Sequence, residues 1–290
     1  WFRWVLKIDC KYYILAIQPN NYTWYDGRFH TDFRTHNKYS KRLYYAFYPL
    51  WWFAHQWDVL IANNFNPKWN LGFDSLTAYP DPDPETSTVD GFVSRHGVDE
   101  VFSTIRSGAG TTFDDSFANN ANSARLLSSV TTDQFGRLSR SIYLFDTSSI
   151  GSATVISTAV LSLGGVAKVN SLGSPDLEVV SSSPASNTAL VNADYGTLGG
   201  TSYGSVTYAS FSITGYNDIT LNASGITNIN KTGISKFGAM LSWDFNNSFT
   251  GTWASSVSSY LAIVFADTAG TTQDPKLVVT YNQFFNVAFV

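Results

Sequence analysis

Residues 140–163 read RSIYLFDTSSIGSATVISTAVLSL, and this stretch decides the fold class. Both of its halves are rich in β-branched and apolar residues, and a short polar turn joins them. In the second half Ala159, Leu161 and Leu163 recur with a period of two residues. That period predicts a strand with one apolar face, so the stretch is interpreted as two strands and a turn.

The same period recurs along the rest of the chain, and polar turn segments separate its occurrences. Many short strands without a long helical segment predict an all-β fold, a jelly-roll-like antiparallel β-sandwich. One short helix is predicted over 223–231, where Ile226 and Ile229 are spaced three apart. The apolar members of the other alternating segments are Leu177 and Val179; Ile219 and Leu221; Ala239, Leu241 and Trp243; Leu261, Ile263 and Phe265; and Leu277, Val279 and Tyr281.

The composition of the chain changes near residue 70. Residues 1–70 hold 21 of the 46 aromatic residues and a charge of +5, from 9 basic and 4 acidic side chains. Residues 71–290 hold 9 basic and 18 acidic side chains, a charge of −9. We therefore predict an aromatic, basic N-terminal extension over 1–70, a β-sandwich domain over 71–281 and an apolar C-terminal tail strand over 282–290.

The two terminal segments are predicted to act in assembly, because large apolar patches rarely face water in a monomer. In the extension the assembly candidates are Trp51, Trp52, Phe53 and Trp57; in the tail they are Phe285, Val287 and Phe289, which alternate as in a half-buried strand. The partners would be copies of the chain itself or other subunits of a particle or fibre. Two alternatives for the extension stay open: an interfacial membrane anchor, and a run of residues not read from a gene.

Composition also narrows the classes of partner. The net charge of −4 gives no reason to expect nucleic acid as a partner. No apolar run reaches 18 residues, so a membrane-spanning helix is not indicated and a membrane partner is not expected. Cys10 is the only cysteine, which rules out a disulfide within the chain.

Three segments in sequence order share the pattern of a known family. They are the strand at 140–146, the segment SSIGSATVISTAVLSL that follows it, and DPKLVVTY at 274–281. Residues 76–281 resemble the disaggregatase-related (DNRLRE-type) β-sandwich domains, which are similar to carbohydrate-binding jelly rolls. The matching positions are Arg140, Phe145, Asp146, Ile150, Ala159, Leu161, Pro275, Leu277, Val279 and Tyr281.

The resemblance implies a fold more than a function. Members of the family occur in secreted polysaccharide-active proteins and on phage and bacterial surfaces, which implies an extracellular or virion-surface location. Asp146, one of the matching positions, is interpreted in two ways. It is either a ligand for a bound group or the residue that opens the turn DTSSIGS by accepting hydrogen bonds from nearby backbone amides.

One segment matches a catalytic motif, GTSYG at 200–204, which has the G-x-S-x-G form of a nucleophile elbow. That motif needs a helix after the serine and a downstream histidine, but the last histidine of the chain is His96. We therefore predict a loop around Ser202. No other catalytic pattern is present, so the chain is predicted not to be an enzyme.

The acidic segment PDPDPE suggests a metal site. Asp81, Asp83 and Glu85 lie in it, and Asp90 follows closely; carboxylate oxygens are the ligands that Ca²⁺ prefers. The alternative is a solvated loop stiffened by proline, whose carboxylates point in different directions. Ca²⁺ is the one cofactor that the sequence suggests.

Three aromatic side chains are candidates for a platform that stacks on sugars: Trp253, Tyr203 and Tyr216. The alternative for each is packing in the core or at a sheet edge. Trp253 lies in the loop FTGTWASS and is the better candidate for an exposed ring, whereas Trp243 is in phase with Leu241 and is predicted to be core.

Two functions from different classes follow from these observations. The first is a non-enzymatic structural protein of an extracellular assembly, such as a phage capsid decoration, a phage tail component or a surface filament. The alternative is a secreted carbohydrate-binding module that binds surface glycans, with Ca²⁺ as a candidate ligand.

Overall fold

The computed structural model describes residues 2–8, 11–17, 73–116, 119–270 and 272–282, with the backbone alone for 2–8, 11–17 and 119–121. The chain forms two compact units. One comprises Trp1–Leu71 with Phe285–Val290, and the other is Gly72–Phe284.

Strands make up most of the regular structure. The helices α1 to α3 are short and span Phe102–Ser107, Ala223–Thr227 and Ser242–Phe245, and 3₁₀ turns span Ser148–Ile150 and Asn192–Thr197. In the described residues the strands β1 to β14 are, in chain order, Phe2–Ile8, Lys11–Ile17, Phe73–Ala78, Asp90–Glu100, Thr112–Asp114, Asn119–Ser128, Phe135–Asp146, Val155–Asn170, Leu177–Ser181, Gly204–Val206, Tyr216–Thr220, Ile234–Leu241, Ser258–Val264 and Lys276–Asn282.

The described part of the first unit is an antiparallel hairpin of β1 and β2. Its ladder runs from the pair Phe2 and Ile17 to the pair Ile8 and Lys11. The sequence of residues 1–70 shows no clear period, so this hairpin was not predicted.

The second unit is an antiparallel sheet that curls into a half-barrel, which confirms the predicted all-β, jelly-roll-like class. Its main path runs β10-β9-β12-β7-β6-β13-β8-β14-β3. Two long strands organise it. Strand β7 pairs with β4 on one side and with β12 and β6 on the other. Strand β8 pairs with β14, β11 and β13.

Two glycines allow β8 to change partners in the middle of its length. Gly164 is the last residue paired with β11, and Gly165 pairs with Ile263 of β13. A Cβ atom at Gly165 would stand 2.0 Å from the carbonyl oxygen of Ser212, which no real side chain tolerates. The absent side chain therefore lets another segment of backbone approach where the sheet bends.

The core of this unit consists of the apolar side chains that alternate along the strands. Ala159, Leu161 and Leu163, predicted from their period of two, are all fully buried. Around them Phe145 and Phe237 pack edge to face, with ring centroids 6.2 Å apart. Burial of such side chains is the main favourable contribution to folding.

A buried ion pair joins the sheet to its connecting segments. The Arg140 guanidinium on β7 binds the Asp244 carboxylate on α3, with Nε–Oδ2 2.6 Å and Nη2–Oδ1 2.8 Å. Its Nη1 also donates to the carbonyl oxygen of Tyr195, and its Cζ lies 4.0 Å from the centroid of that ring. Arg140 thus holds α3 and the turn Asn192–Thr197 against β7.

Several local predictions can be compared directly with this fold. The short helix is present as α2, although it ends at Thr227. Asp146 accepts a hydrogen bond from the backbone N–H of Ser148, so it serves as the residue that opens the turn. Trp243 is buried as predicted, but it lies in α3 rather than in the preceding strand. None of the helices in the described residues has the length and apolar character needed to cross a membrane.

Candidate functional site

Strand β3 forms one edge of the half-barrel and is the best candidate for an interaction site. It pairs with β14 on its inner side and with no other described strand on its outer side. Leu76 packs against the core, whereas Phe73, Ser75 and Thr77 are exposed. Phe73 exposes 67% of its surface. An edge strand generally presents backbone N–H and C=O groups that another strand can bind. On β3 the N–H of Ser75 donates to the Asp74 carboxylate at 2.9 Å, a contact that an added strand would have to replace.

The first and last described residues of the second unit meet at this edge. At one end of the β3–β14 ladder Phe73 is paired with Asn282. The predicted assembly residues Trp51, Trp52, Phe53, Trp57, Phe285, Val287 and Phe289 lie outside the described residues.

The three aromatic residues predicted to bind sugar are placed in different parts of the sheet. Tyr203 is 8% exposed and packs edge to face on Phe237. Tyr216 is half-buried, and its hydroxyl donates to the carbonyl oxygen of Asp274.

Trp253 is also half-buried, and its indole N–H donates to the carbonyl oxygen of Gln134 at 3.0 Å. Its ring packs against the core cluster. Since Tyr203 is a core residue and the other two rings contact separate elements, the structure does not assemble the three as one stacking platform. This corrects the interpretation of Tyr203 in particular.

The GTSYG segment is a loop before β10, as predicted. The Ser202 hydroxyl donates to Oε2 of Glu178 at 2.6 Å, and Glu178 lies on β9. Burial raises the pKa of Glu178, which the hydrogen bond from Ser202 partly offsets. A carboxylate acceptor alone does not make the imidazole-activated nucleophile that the elbow motif needs.

The carboxylate of Asp81 holds its own loop together. Its Oδ2 accepts hydrogen bonds from the backbone and side chains of Thr86 and Ser87, at 2.6 to 3.1 Å. Burial acts to raise the pKa of Asp81, but these hydrogen bonds outweigh it and lower the pKa below its usual value. The side chain therefore caps its own loop, a role that differs from both the metal ligand and the solvated carboxylate considered from the sequence.

Other carboxylates gather at the start of β4, of which Asp90 is the first residue. Asp90 is 1% exposed, and its two oxygens accept the backbone N–H of Ala266. Burial raises the pKa of Asp90 well above its usual value, and the charges of Asp267 and Asp274 add to the shift. Burial and the charge of Asp267 likewise raise the pKa of Asp274 to about 6. Sequence reasoning missed Asp267 and Asp274, because they lie more than 170 residues from the acidic loop.

The acidic residues of the described ranges are not grouped as metal ligands. In the described ranges, which include Asp81, Asp83, Glu85 and Asp90, no group of three or more His, Cys, Asp or Glu side chains is arranged to hold a metal ion. The Asp81 carboxylate is occupied by its loop, and the Asp90 carboxylate is buried on the amide of Ala266. Both contacts disfavour a calcium site here, which stays a prediction.

A comparison with protein-family models gives no match for this chain, and neither does a comparison with curated proteins.

Proposed function

We propose that this chain is a non-enzymatic structural subunit whose sandwich unit joins neighbouring copies through the edge of β3. The observation that carries the proposal is the outer edge of β3, which pairs with no other described strand, together with the pairing of Phe73 and Asn282, the first and last described residues of this unit. The low share of charged residues, 14%, and the family resemblance of residues 76–281 favour an extracellular assembly such as a virion or a surface filament.

The occupant that fits this edge is the C-terminal segment of a second copy. Residues 284–290 read FFNVAFV, and Phe285, Val287 and Phe289 alternate as a strand with one apolar face requires. Strand addition of this kind combines backbone hydrogen bonds with side-chain contacts at alternate positions. On β3 the neighbouring contact positions are the exposed Phe73 and Thr77.

The test compares the molar mass of the full-length chain and its variants by light scattering over a range of concentrations. The substitution Ser75→Lys places a charge beside the β3 edge, where lysine disfavours pairing with another strand. Because Ser75 is exposed, the variant should fold normally. We expect it, and a chain truncated after residue 283, to lose the concentration-dependent oligomer of the full-length chain.

The matched control is Ser205→Lys, which puts the same charge on the exposed face of β10, at the opposite end of the sheet path. This variant should assemble like the unmodified chain. A full-length chain that remains monomeric at every concentration would overturn the proposal. Equal loss of assembly in both lysine variants would show that charge, rather than the β3 edge, controls association.

A further inference from the structure

A second surface of the sheet lies far from β3 in the strand order and has a different chemistry. Arg125 on β6 is paired with Ser139 on β7, and Ser139 is paired with Ser94 on β4. One row further along, Arg137 on β7 is paired with His96 on β4. Directly opposed residues share a face of the sheet, and so do residues two apart on one strand. These five polar side chains therefore lie together on one face.

This face holds an unusual share of unsatisfied polar atoms. The Nε atoms of Arg125 and Arg137 and the Oγ atoms of Ser94 and Ser139 are all buried and make no hydrogen bond. They are four of the eight such side-chain atoms found in the described residues. Buried polar atoms in proteins are normally paired, so a cluster of unpaired ones needs a physical cause such as an ion or a ligand.

The charge of the face is also uncompensated. Both guanidinium groups donate to the same neutral acceptor, Oδ1 of Asn122, at 2.6 Å from Arg137 Nη1 and 3.2 Å from Arg125 Nη1. The ion pairs formed by described residues involve Arg95, Arg106 and Arg140, and neither of these two arginines.

Electrostatics agree with this geometry. Burial, and then the charge of Arg125, lowers the pKa of Arg137 to about 10. Burial also lowers the pKa of Arg125. The pKa of His96 is lowered mainly by burial and further by the charges of Arg137 and Arg125. Two like charges held side by side in a partly buried place repel each other, and an anion between them would remove that repulsion.

An aromatic ring borders the cluster on the next strand. Tyr260 on β13 is paired with Arg125, whose Cζ lies 5.7 Å from the centroid of the tyrosine ring. The row across the sheet therefore runs from an aromatic ring through a guanidinium to two serine hydroxyls.

We propose that Arg125 and Arg137 bind one oxyanion, either as a free ion or as the sulfate or carboxylate group of a larger ligand. A guanidinium presents its N–H donors in a fork that matches the oxygens of such groups. The Nε–H of each guanidinium, which has no partner in the structure, would supply a further donor. Because residues 71–290 carry a charge of −9, the attraction is local to this face and does not extend over the surface.

This anion site does not depend on the β3 edge. To test it, the full-length chain is titrated with sodium sulfate and, separately, with sodium glucuronate. Chloride at matched ionic strength corrects for general salt effects, which matter because sulfate stabilises most folded proteins. Thermal unfolding and isothermal titration calorimetry report binding. We expect a saturable rise in melting temperature with at least one of the two anions.

The substitution Arg137→Gln should weaken binding by about tenfold or more, as loss of a charged hydrogen-bonding group implies. Without added anion the variant should be at least as stable as the unmodified chain, since one of two repelling charges is gone. Arg125→Gln should behave in the same way and serves if the first variant folds poorly. The matched control is Lys276→Gln, which removes one positive charge from β14, where Lys276 lies over the ring of Tyr216. This variant should bind the anion as the unmodified chain does.

The two anions separate the sources of the oxyanion. A stronger response to glucuronate would indicate that the ligand is a carboxylate on a saccharide. A stronger response to sulfate would indicate a tetrahedral anion. Either result supports the site. The proposal is overturned if neither anion gives a saturable response, or if the responses of the unmodified chain, Arg137→Gln and Lys276→Gln are equal.

Discussion

Arg140 and Asp244 are separated by 104 residues in the sequence, yet they form a two-pronged ion pair in which the carboxylate side chain has no exposed surface. Burial acts to lower the pKa of Arg140, but the adjacent carboxylate outweighs it and raises that pKa. The pair is completed by Arg106, whose Nε donates to the backbone oxygen of Asp244 at 2.6 Å. Loss of one partner would leave the other charge buried.

The substitution Asp244→Asn should therefore lower the free energy of unfolding by about 3–5 kcal/mol, the usual cost of breaking a buried ion pair. Urea denaturation measures the change. Glu100→Gln is the matched control, because it breaks the more exposed pair with Arg95 and should cost about 1 kcal/mol or less. Equal losses in the two variants would mean that the buried pair contributes no more than a surface one.

The free energy of unfolding should fall as the pH rises through about 6, because of the acidic cluster at the start of β4. A carboxyl group whose pKa is raised in the folded state holds its proton more tightly there than in the unfolded chain. Its contribution is complete below the unfolded value near 3.8 and is lost as the pH passes the folded value of about 6 for Asp274.

Asp274→Asn should reduce the loss of stability between pH 5 and pH 7, and it should raise the melting temperature near neutral pH. The control Asp218→Asn, an exposed residue of β11, should leave the curve unchanged. Below about pH 4 the opposite effect of Asp81 appears, because its lowered pKa means that protonation destabilises the loop. A melting temperature that rises from pH 5 to pH 7 and is unaffected by Asp274→Asn would contradict the prediction.

Gly91 should not tolerate a side chain. Its φ is +152°, and a Cβ atom there would stand 2.3 Å from the carbonyl oxygen of Asp114. Gly91→Ala should therefore cost about 2 kcal/mol or more through strain between β4 and β5. Gly136→Ala on β7 is the control, since its nearest contact would be an ordinary 3.5 Å from the carbonyl oxygen of Val98. Chemical denaturation of both variants measures the change in the free energy of unfolding, which should be larger for Gly91→Ala.

The chain should show no hydrolase activity that depends on Ser202. Its hydroxyl is bound to a carboxylate of β9, so alanine substitution should leave any background turnover of ester substrates unchanged. Assays of the purified full-length chain and of Ser202→Ala test this. Turnover present in the first and lost in the second would identify a nucleophile and overturn the structural function.

Calcium should have no effect on thermal unfolding. The Asp81 carboxylate already accepts several hydrogen bonds from its loop, and a cation would have to displace them. Melting curves recorded with millimolar Ca²⁺ and with a chelator should coincide. A clear rise with Ca²⁺ would show that a site forms on binding.

The alternating apolar residues made most strands of the sheet predictable. Leu277 and Val279, for example, are fully buried on β14, as their period of two requires. The same rule misplaced Trp243, because a single helical turn after Leu241 keeps the tryptophan in the core without continuing the strand. Periodicity over three residues cannot separate these two cases.

The candidate sites were much less predictable than the strands. The partner of Arg140 is an aspartate more than a hundred residues away, and no local signal in one sequence connects them. Ser94 and Ser139 resemble ordinary outward-facing positions of strands, although both are fully buried. Tyr203 was a candidate for stacking on sugars, with packing in the core as the alternative, and the loop folds it onto Phe237.

The cross-strand pair of Phe73 and Asn282 has a mechanical consequence for a subunit that is held at both ends. A force that pulls these two residues apart acts at one end of the β3–β14 ladder, so its six pairs open one after another rather than all together. Sequential rupture needs less force than simultaneous rupture of the same hydrogen bonds. Under tension β3 would peel away first, while β14 stays attached to β8, and the rest of the sheet would keep its structure.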